Sequence, residues 1–296
     1  MSRIQIWILA SRPKTLPAAS VPVIMGTAMA YGDRVHYFPA AAVALACALL
    51  IQIIANFVND YADFKKGTDD HTRIGPLRVT QAGLVTPREM KIAIFLAIFI
   101  TLLLGLYLVL RGGIPVVLMG VLSILSGIIY TAGPFPLGYI GLADIFVLIF
   151  FGPVAAAGTY YVQALSIHPW VIAAGFAPGL FSVAILTVNN LRDLENDKNH
   201  NKKTLAVRFG KNFAMYEYAF SFFLACLIPI AIYFISGKYK WASISTLTLF
   251  LSPIVLKPVF SETNGLILNK TLANTGKLLI IYGVLYSIGW ILSSRF

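Results

Sequence analysis

Residues 37–63 read YFPAAAVALACALLIQIIANFVNDYAD. No charged side chain interrupts them before Asp60. An apolar run of about 20 residues is the length of a helix that crosses a bilayer. The stretch ends in Asn56, Asp60 and Asp63, spaced i, i+4 and i+7, so a helix continuing past the membrane carries all three on one face. Residues 169–197, PWVIAAGFAPGLFSVAILTVNNLRDLEND, repeat the design, with Asn189, Asp193 and Asp197 at i, i+4 and i+8. Runs of the same kind lie at 15–31, 92–110, 114–131, 139–164, 213–235, 241–257 and 277–293. With 37–58 and 169–189 they predict nine spans, an all-α polytopic membrane protein.

Composition agrees. Hydrophobic residues make up 58% and charged residues 12%, against roughly a quarter charged in soluble domains. The net charge of +11 sits in the loops between apolar runs, which excludes nucleic acid as the reason for it. Eighteen of the 23 Lys and Arg fall on the side of the N-terminus and the even-numbered loops. Positive residues gather on the cytoplasmic side, so the N-terminus is predicted cytoplasmic and both acidic segments share that side. The first apolar run, Ile4 to Ala10, is short and lacks a small-residue cleavage site; with Trp7 it suits an interfacial segment rather than a signal peptide. Cys47 and Cys226 lie inside apolar runs and read as small core residues. Thr86-Pro87-Arg88-Glu89 predicts a capped helix start.

Seven of the twelve acidic residues fall within 60–70 and 193–197. Like charges one turn apart repel, more so near a membrane. Magnesium relieves that repulsion; it binds one or two carboxylates and takes further oxygens from substrate phosphates. Two opposed carboxylate faces therefore suit a diphosphate held through Mg2+. Lys65, Lys66, Arg73 and Arg78 in one loop, and Arg192, Lys198, Lys202 and Lys203 in the other, supply cations for phosphate oxygens. Metal and cations together stabilise a departing diphosphate, while an apolar cavity protects an allylic carbocation from water. Asp144 is a membrane-embedded acid that a helix dipole also explains. Gln52, one turn before Asn56, is read as bonding a neighbouring helix rather than lining a cavity. A cation-coupled transporter using the same carboxylates is the reading from another functional class.

Several stretches carry a resemblance: Arg12-Pro13-Lys14-Thr15-Leu16-Pro17, Asn59-Asp60-Tyr61-Ala62-Asp63 with Lys66-Gly67-Thr68-Asp69, and Gly75-Pro76-Leu77-Arg78-Val79-Thr80-Gln81-Ala82-Gly83. Further along are Tyr139-Ile140-Gly141-Leu142-Ala143-Asp144, Asn189-Asn190-Leu191-Arg192-Asp193 and Lys203-Thr204-Leu205-Ala206-Val207-Arg208-Phe209-Gly210. In these the chain resembles the UbiA superfamily of membrane prenyltransferases, and within it the menaquinone branch. The resemblance implies nine helices around a central cavity in a bacterial inner (plasma) membrane, with the active site facing the cytoplasm. It implies one membrane-embedded domain over 1–296, its active-site loops at 59–91 and 190–212. It implies Mg2+ held to a polyprenyl diphosphate by Asp60, Asp63, Asp193 and Asp197, with Asn56 and Asn189. Lys66, Arg78, Arg192 and Lys198 are then expected to neutralise phosphate. The implied reaction transfers the polyprenyl chain to 1,4-dihydroxy-2-naphthoate with loss of diphosphate and carbon dioxide. Prenylation of 4-hydroxybenzoate or homogentisate is the alternative within the superfamily. Two departures stand out. The superfamily's first motif often continues to an aspartate where this chain has Gly67, with Asp69 two residues on. After Tyr130 comes Thr131-Ala132-Gly133-Pro134, without the lysine of the 4-hydroxybenzoate enzymes.

Overall fold

The computed structural model describes residues 1–67, 75, 77–133 and 136–295, and every regular element among them is helical. In chain order these are α1 (Arg3–Ser11), a 3-10 turn at Pro13–Thr15, α2 (Leu16–Gly32), α3 (Phe38–Lys66), α4 (Pro87–Gly112), α5 (Ile114–Ile129) and the single turn α6 (Leu137–Ile140). Then come α7 (Ala143–Ile149), a π turn at Phe150–Val154, α8 (Ala155–Ala164), α9 (Pro169–Arg192) and α10 (Leu194–Asn199). The chain ends with α11 (Leu205–Ser236), a 3-10 segment at Lys240–Leu251, α12 (Pro253–Ser261) and α13 (Gly265–Ser293).

Each of the nine predicted apolar runs is helical, but not all are single spanning helices. Six are long and apolar enough to cross a membrane: α3, α4, α7 through α8, α9, α11 and α13. The run at 241–257 is the 3-10 segment and α12 together, bent by 41°. The runs at 15–31 and 114–131 form helices of only 17 and 16 residues. By length and composition, six to seven elements among the described residues therefore qualify as spans.

The polar helix ends behave differently from one another. α3 runs without a break to Lys66 before Gly67 takes the left-handed conformation, so Asn56, Asp60 and Asp63 do share a helix. α9 stops at Arg192, and Asp193 lies at its junction with α10. The i to i−4 backbone bonds nevertheless continue from Asp193 N to Asn189 O (3.0 Å) and from Asp197 N to Asp193 O (2.7 Å). The second trio thus follows a near-helical path across a break, rather than the single helix face that its spacing predicts.

α9 is the central post, packed against α11, α13, α2 and the α7–α8 span. Backbones approach closely where side chains are absent. A Cβ on Gly179 would strike the Leu148 carbonyl, and one on Gly26 would strike that of Ala156. Small residues at such crossings let membrane helices gain packing that the hydrophobic effect does not supply between them. The capped start of α4 forms as predicted: Thr86 N donates to Glu89 Oε2 (2.8 Å) and Glu89 N donates to Thr86 Oγ1 (3.2 Å). α1 lays Ile6 and Ala10 against Phe57, Val79 and Met90, and Trp7 meets Phe57 at 5.5 Å between ring centroids. That contact fastens the N-terminal segment over the end of α3.

Candidate active site

α2, α3, α4, α5, the α7–α8 span and α9 enclose a cavity of about 560 Å³. Its mouth is polar, lined by Arg12, Asn56, Asn59, Arg78, Asn189, Asp193, Asp197 and Lys202. Below the mouth the lining turns apolar, through Ile51, Ile124, Phe146, Phe150 and Ile185 down to Leu108, Val116 and Val162. Both ends of the sequence pattern are therefore brought to one opening, above an apolar chamber.

The aspartates of α3 lie beside this mouth rather than on its lining. Asp60 is 2% exposed and Asp63 fully buried. Asp60 accepts Val79 N–H on Oδ2 (3.0 Å) and Thr80 N–H on Oδ1 (3.1 Å). Asp63 Oδ2 accepts from Arg78 Nη2 at 2.5 Å. The segment 78–80 is thus stitched to α3 by the two carboxylates. On the opposite side, Arg192 forks onto its neighbour Asp193 (Nε to Oδ1 2.7 Å, Nη2 to Oδ2 2.5 Å). The same guanidinium donates to Asn189 Oδ1 (2.8 Å) and Asn269 Oδ1 (2.6 Å). Lys202 connects the two halves. Its Nζ lies 4.0 Å from Asp63 Oδ1 and 3.7 Å from Asp197 Oδ1, so one cation serves both motifs. Tyr139 lies beneath two ammonium groups, Lys66 at 4.1 Å and Lys202 at 5.1 Å from the ring centre.

Lys66 also donates to the Thr131 carbonyl (3.0 Å). Asn56 spends both amide protons, on Ser11 O (2.9 Å) and Thr15 Oγ1 (3.2 Å). That leaves Oδ1 as the atom of Asn56 suited to a cation. Lys198 is exposed, and the mouth is lined instead by Lys202. Asp144 is buried in the first turn of α7, where the helix dipole favours an acid. Asp69 and Arg73 lie outside the described residues.

Sequence reasoning by charge and spacing passed over the residues that brace the mouth. Arg12 donates to Asn59 Oδ1 (3.1 Å), and Asn59 donates to Thr131 Oγ1 (2.8 Å). The one available signal was that Asn59 stands three residues after Asn56, beside it on the helix. Thr131 and Asn269 carry no spacing signal and reach the site only by tertiary folding. Gln52 does bond a neighbouring segment, as read, through Thr15 (3.1 Å); contrary to that reading it lines the cavity as well.

The residues present fit magnesium carried with a diphosphate better than a metal caged by protein alone. Among the described residues no group of three His, Cys, Asp or Glu side chains could hold an ion. Magnesium needs only one or two carboxylates when phosphate and water supply the remaining oxygens. Asp63 and Asp197, already flanking one cation, offer that.

The family model of the UbiA prenyltransferase family matches residues 19–264. The chain belongs to that family. Among relatives of this UbiA protein, the 1,4-dihydroxy-2-naphthoate octaprenyltransferase of Escherichia coli is 38% identical over 99% of this chain and 97% of that protein. The protein of the same name from Haemophilus influenzae is 33% identical over 97% and 96%. The UbiA fold is shared with a UbiA homolog from Archaeoglobus fulgidus bound to GPP and Mg2+, at TM-score 0.69 and 16% identity, over 95% of this chain and 99% of that one. The apo structure of a UbiA homolog from Aeropyrum pernix K1 gives TM-score 0.70 at 16% identity, over 97% and 99%.

Proposed function

We propose that this UbiA-family protein transfers a polyprenyl chain from polyprenyl diphosphate to 1,4-dihydroxy-2-naphthoate, with release of diphosphate and carbon dioxide, giving a demethylmenaquinol. The observation that carries the reading is the joining of two aspartate motifs by Lys202 at the polar mouth of an apolar cavity. The names of full-length relatives from several bacteria support the acceptor.

In this reading the chain crosses a bacterial cell membrane nine times, the two short helices and the bent pair included. The N-terminus and mouth are cytoplasmic. Residues 1–296 form one domain whose site is closed by loops 59–91 and 190–212. Asp60, Asp63, Asp193 and Asp197, with Asn56 and Asn189, would hold Mg2+ and diphosphate. When bound, magnesium supplies charge neutralisation for the leaving group. Arg78, Arg192, Lys66 and Lys202 add fixed positive charge around the same oxygens, with Lys198 held further out. Preorganised charge of this kind acts strongly where water is scarce.

The ester C–O bond breaks with its electron pair passing to diphosphate. The allylic cation left behind lies among Ile51, Phe146 and Ile185, where water is excluded. A ring carbon of the acceptor then supplies the pair for the new C–C bond. If that carbon bears the carboxylate, loss of carbon dioxide returns a pair to the ring, and aromaticity is restored without a dedicated base.

The test is a product assay on purified protein in detergent, with Mg2+, a polyprenyl diphosphate, and 1,4-dihydroxy-2-naphthoate or 4-hydroxybenzoate in parallel. A decarboxylated prenyl-naphthoquinone that disappears with EDTA is the expected result. Product from 4-hydroxybenzoate alone would overturn the acceptor, and diphosphate uptake without its release would indicate transport.

A further inference from the structure

α1 is apolar on both of its sides. Ile6 and Ala10 share the face that packs over Phe57, Val79, Val85 and Met90. At about 100° per residue, Ile4 and Ile8 fall on the opposite side of the helix, and they are 73% and 52% exposed. A surface helix in water turns polar residues outward, whereas one that is apolar all round is buried all round. The protein covers only the inner face. Nine residues rise about 14 Å, half of the ~30 Å hydrocarbon layer, so α1 cannot cross a bilayer. It rests instead at the boundary, where Phe57 closes the apolar run of α3 and Met90 precedes that of α4. Just beyond Met90, the exposed Ile92, Phe95 and Leu96 begin the outer wall of α4.

The surroundings of α1 are cationic. Lys14 stands three residues past its end, and Arg88 and Lys91 flank the Glu89 and Met90 that α1 touches; all three cations are exposed. Glu89 is the one acid within residues 1–14 and 84–93, and Arg3 pairs with it at 3.0 Å. An apolar helix face beside basic side chains suits a leaflet of anionic lipid, which attracts Lys and Arg at its surface.

α1 is also wired to the mouth. Val79, fully buried in the cluster under α1, gives its N–H to Asp60 (3.0 Å). Arg12 closes the end of α1 by donating its N–H to the Leu9 carbonyl (3.1 Å), and its guanidinium reaches Asn59 at the mouth. A force that seats α1 therefore bears on both segment 78–80 and the Arg12 brace.

We propose that α1 seats its outer face in the lipid leaflet on the mouth side, held by anionic phospholipid headgroups at Lys14, Arg88 and Lys91. The charge of the surrounding lipid then orders the mouth. None of this depends on which acceptor is prenylated, and the test needs no turnover. Ile8→Cys and, separately, Gln81→Cys carry a nitroxide in vesicles of phosphatidylcholine, with and without about one third phosphatidylglycerol. Gln81 is exposed beside the stitched segment. Cys47 and Cys226 are buried, and the wild type serves as the labelling blank. Ile4→Cys replaces Ile8→Cys if the latter fails to fold. With phosphatidylglycerol present, the label at position 8 should be more accessible to oxygen than to a water-soluble nickel chelate. The label at 81 should lose mobility when phosphatidylglycerol is added. It should regain that mobility in about 1 M salt, which screens surface charge, and in Arg88→Gln/Lys91→Gln. A label at 8 that favours the nickel chelate would overturn the seat. So would one closed to both probes until the protein is diluted in lipid, which would mean that a second copy covers the face. Equal mobility at 81 in both lipids would overturn the coupling of lipid charge to the mouth.

Discussion

Arg78 and Asp63 meet at 2.5 Å with both side chains buried, 5% and 0% exposed. A buried pair is a weak source of net stability, but removing one member strands the other charge, at a cost of about 3–5 kcal/mol. Arg78→Met should therefore lower the thermal unfolding temperature in detergent sharply. The double variant Arg78→Met/Asp63→Leu should recover much of that loss without recovering turnover. A single variant as stable as wild type would show that the pair does not anchor segment 78–80.

Lys202 and Lys198 lie four residues apart and make opposite predictions. Lys202 spans Asp63 and Asp197; Lys198 is exposed. Lys202→Gln should raise KM for the prenyl diphosphate and lower kcat/KM by about 10- to 100-fold, the scale of losing a charged hydrogen-bonding group from a site. It should also lower stability in EDTA, where the ammonium is the cation between the two carboxylates. Lys198→Gln should stay within about twofold of wild type. Equal effects from the two would remove Lys202 from the centre of the site.

Asp60→Asn and Asp193→Asn test the carboxylates themselves. The amide oxygen of Asn keeps one acceptor for Val79 or Thr80 N–H, or for the Arg192 fork, but its NH2 meets the other donor, so each variant should lose stability and turnover is compared per folded protein. The charge needed to hold a cation is gone, and turnover should fall by more than about 100-fold. Near wild-type rates at saturating Mg2+ in either variant would sink the ligand assignment.

How much of this was readable in the chain follows from what each feature depends on. Helix positions depend on local hydropathy, and all nine runs are helical. The capped start at Thr86 depends on four adjacent residues and formed as read. The break at Asp193 and the 3-10 character of Lys240–Leu251 depend on neighbours far along the chain. So does the count of helices that meet the length of a span. Within the site, spacing exposed Asn56, Asp60, Asp63, Asn189, Asp193 and Asp197. It could not show that Asp60 and Asp63 face segment 78–80, nor that Arg192 reaches Asn269, 77 positions on. Those pairings exist only once α3, α9 and α13 have come together.

The glycines supply a prediction about packing alone. At Gly179 the nearest atoms to an added Cβ are the Leu148 carbonyl and the backbone of Gly152. Neither is the end of a flexible side chain, so the helices must separate to admit it. Gly179→Ala should cost about 1–3 kcal/mol, as overpacking does. At Gly105, within α4, an added Cβ meets nothing within 4 Å. There Gly105→Ala should leave stability unchanged or raise it by up to about 1 kcal/mol, the helix-propensity gap between the two residues. Thermal unfolding of both variants in one detergent decides the matter. If Gly105→Ala proved as damaging as Gly179→Ala, the close crossing of α9 with α7 and the π turn would not be what holds the centre of the bundle.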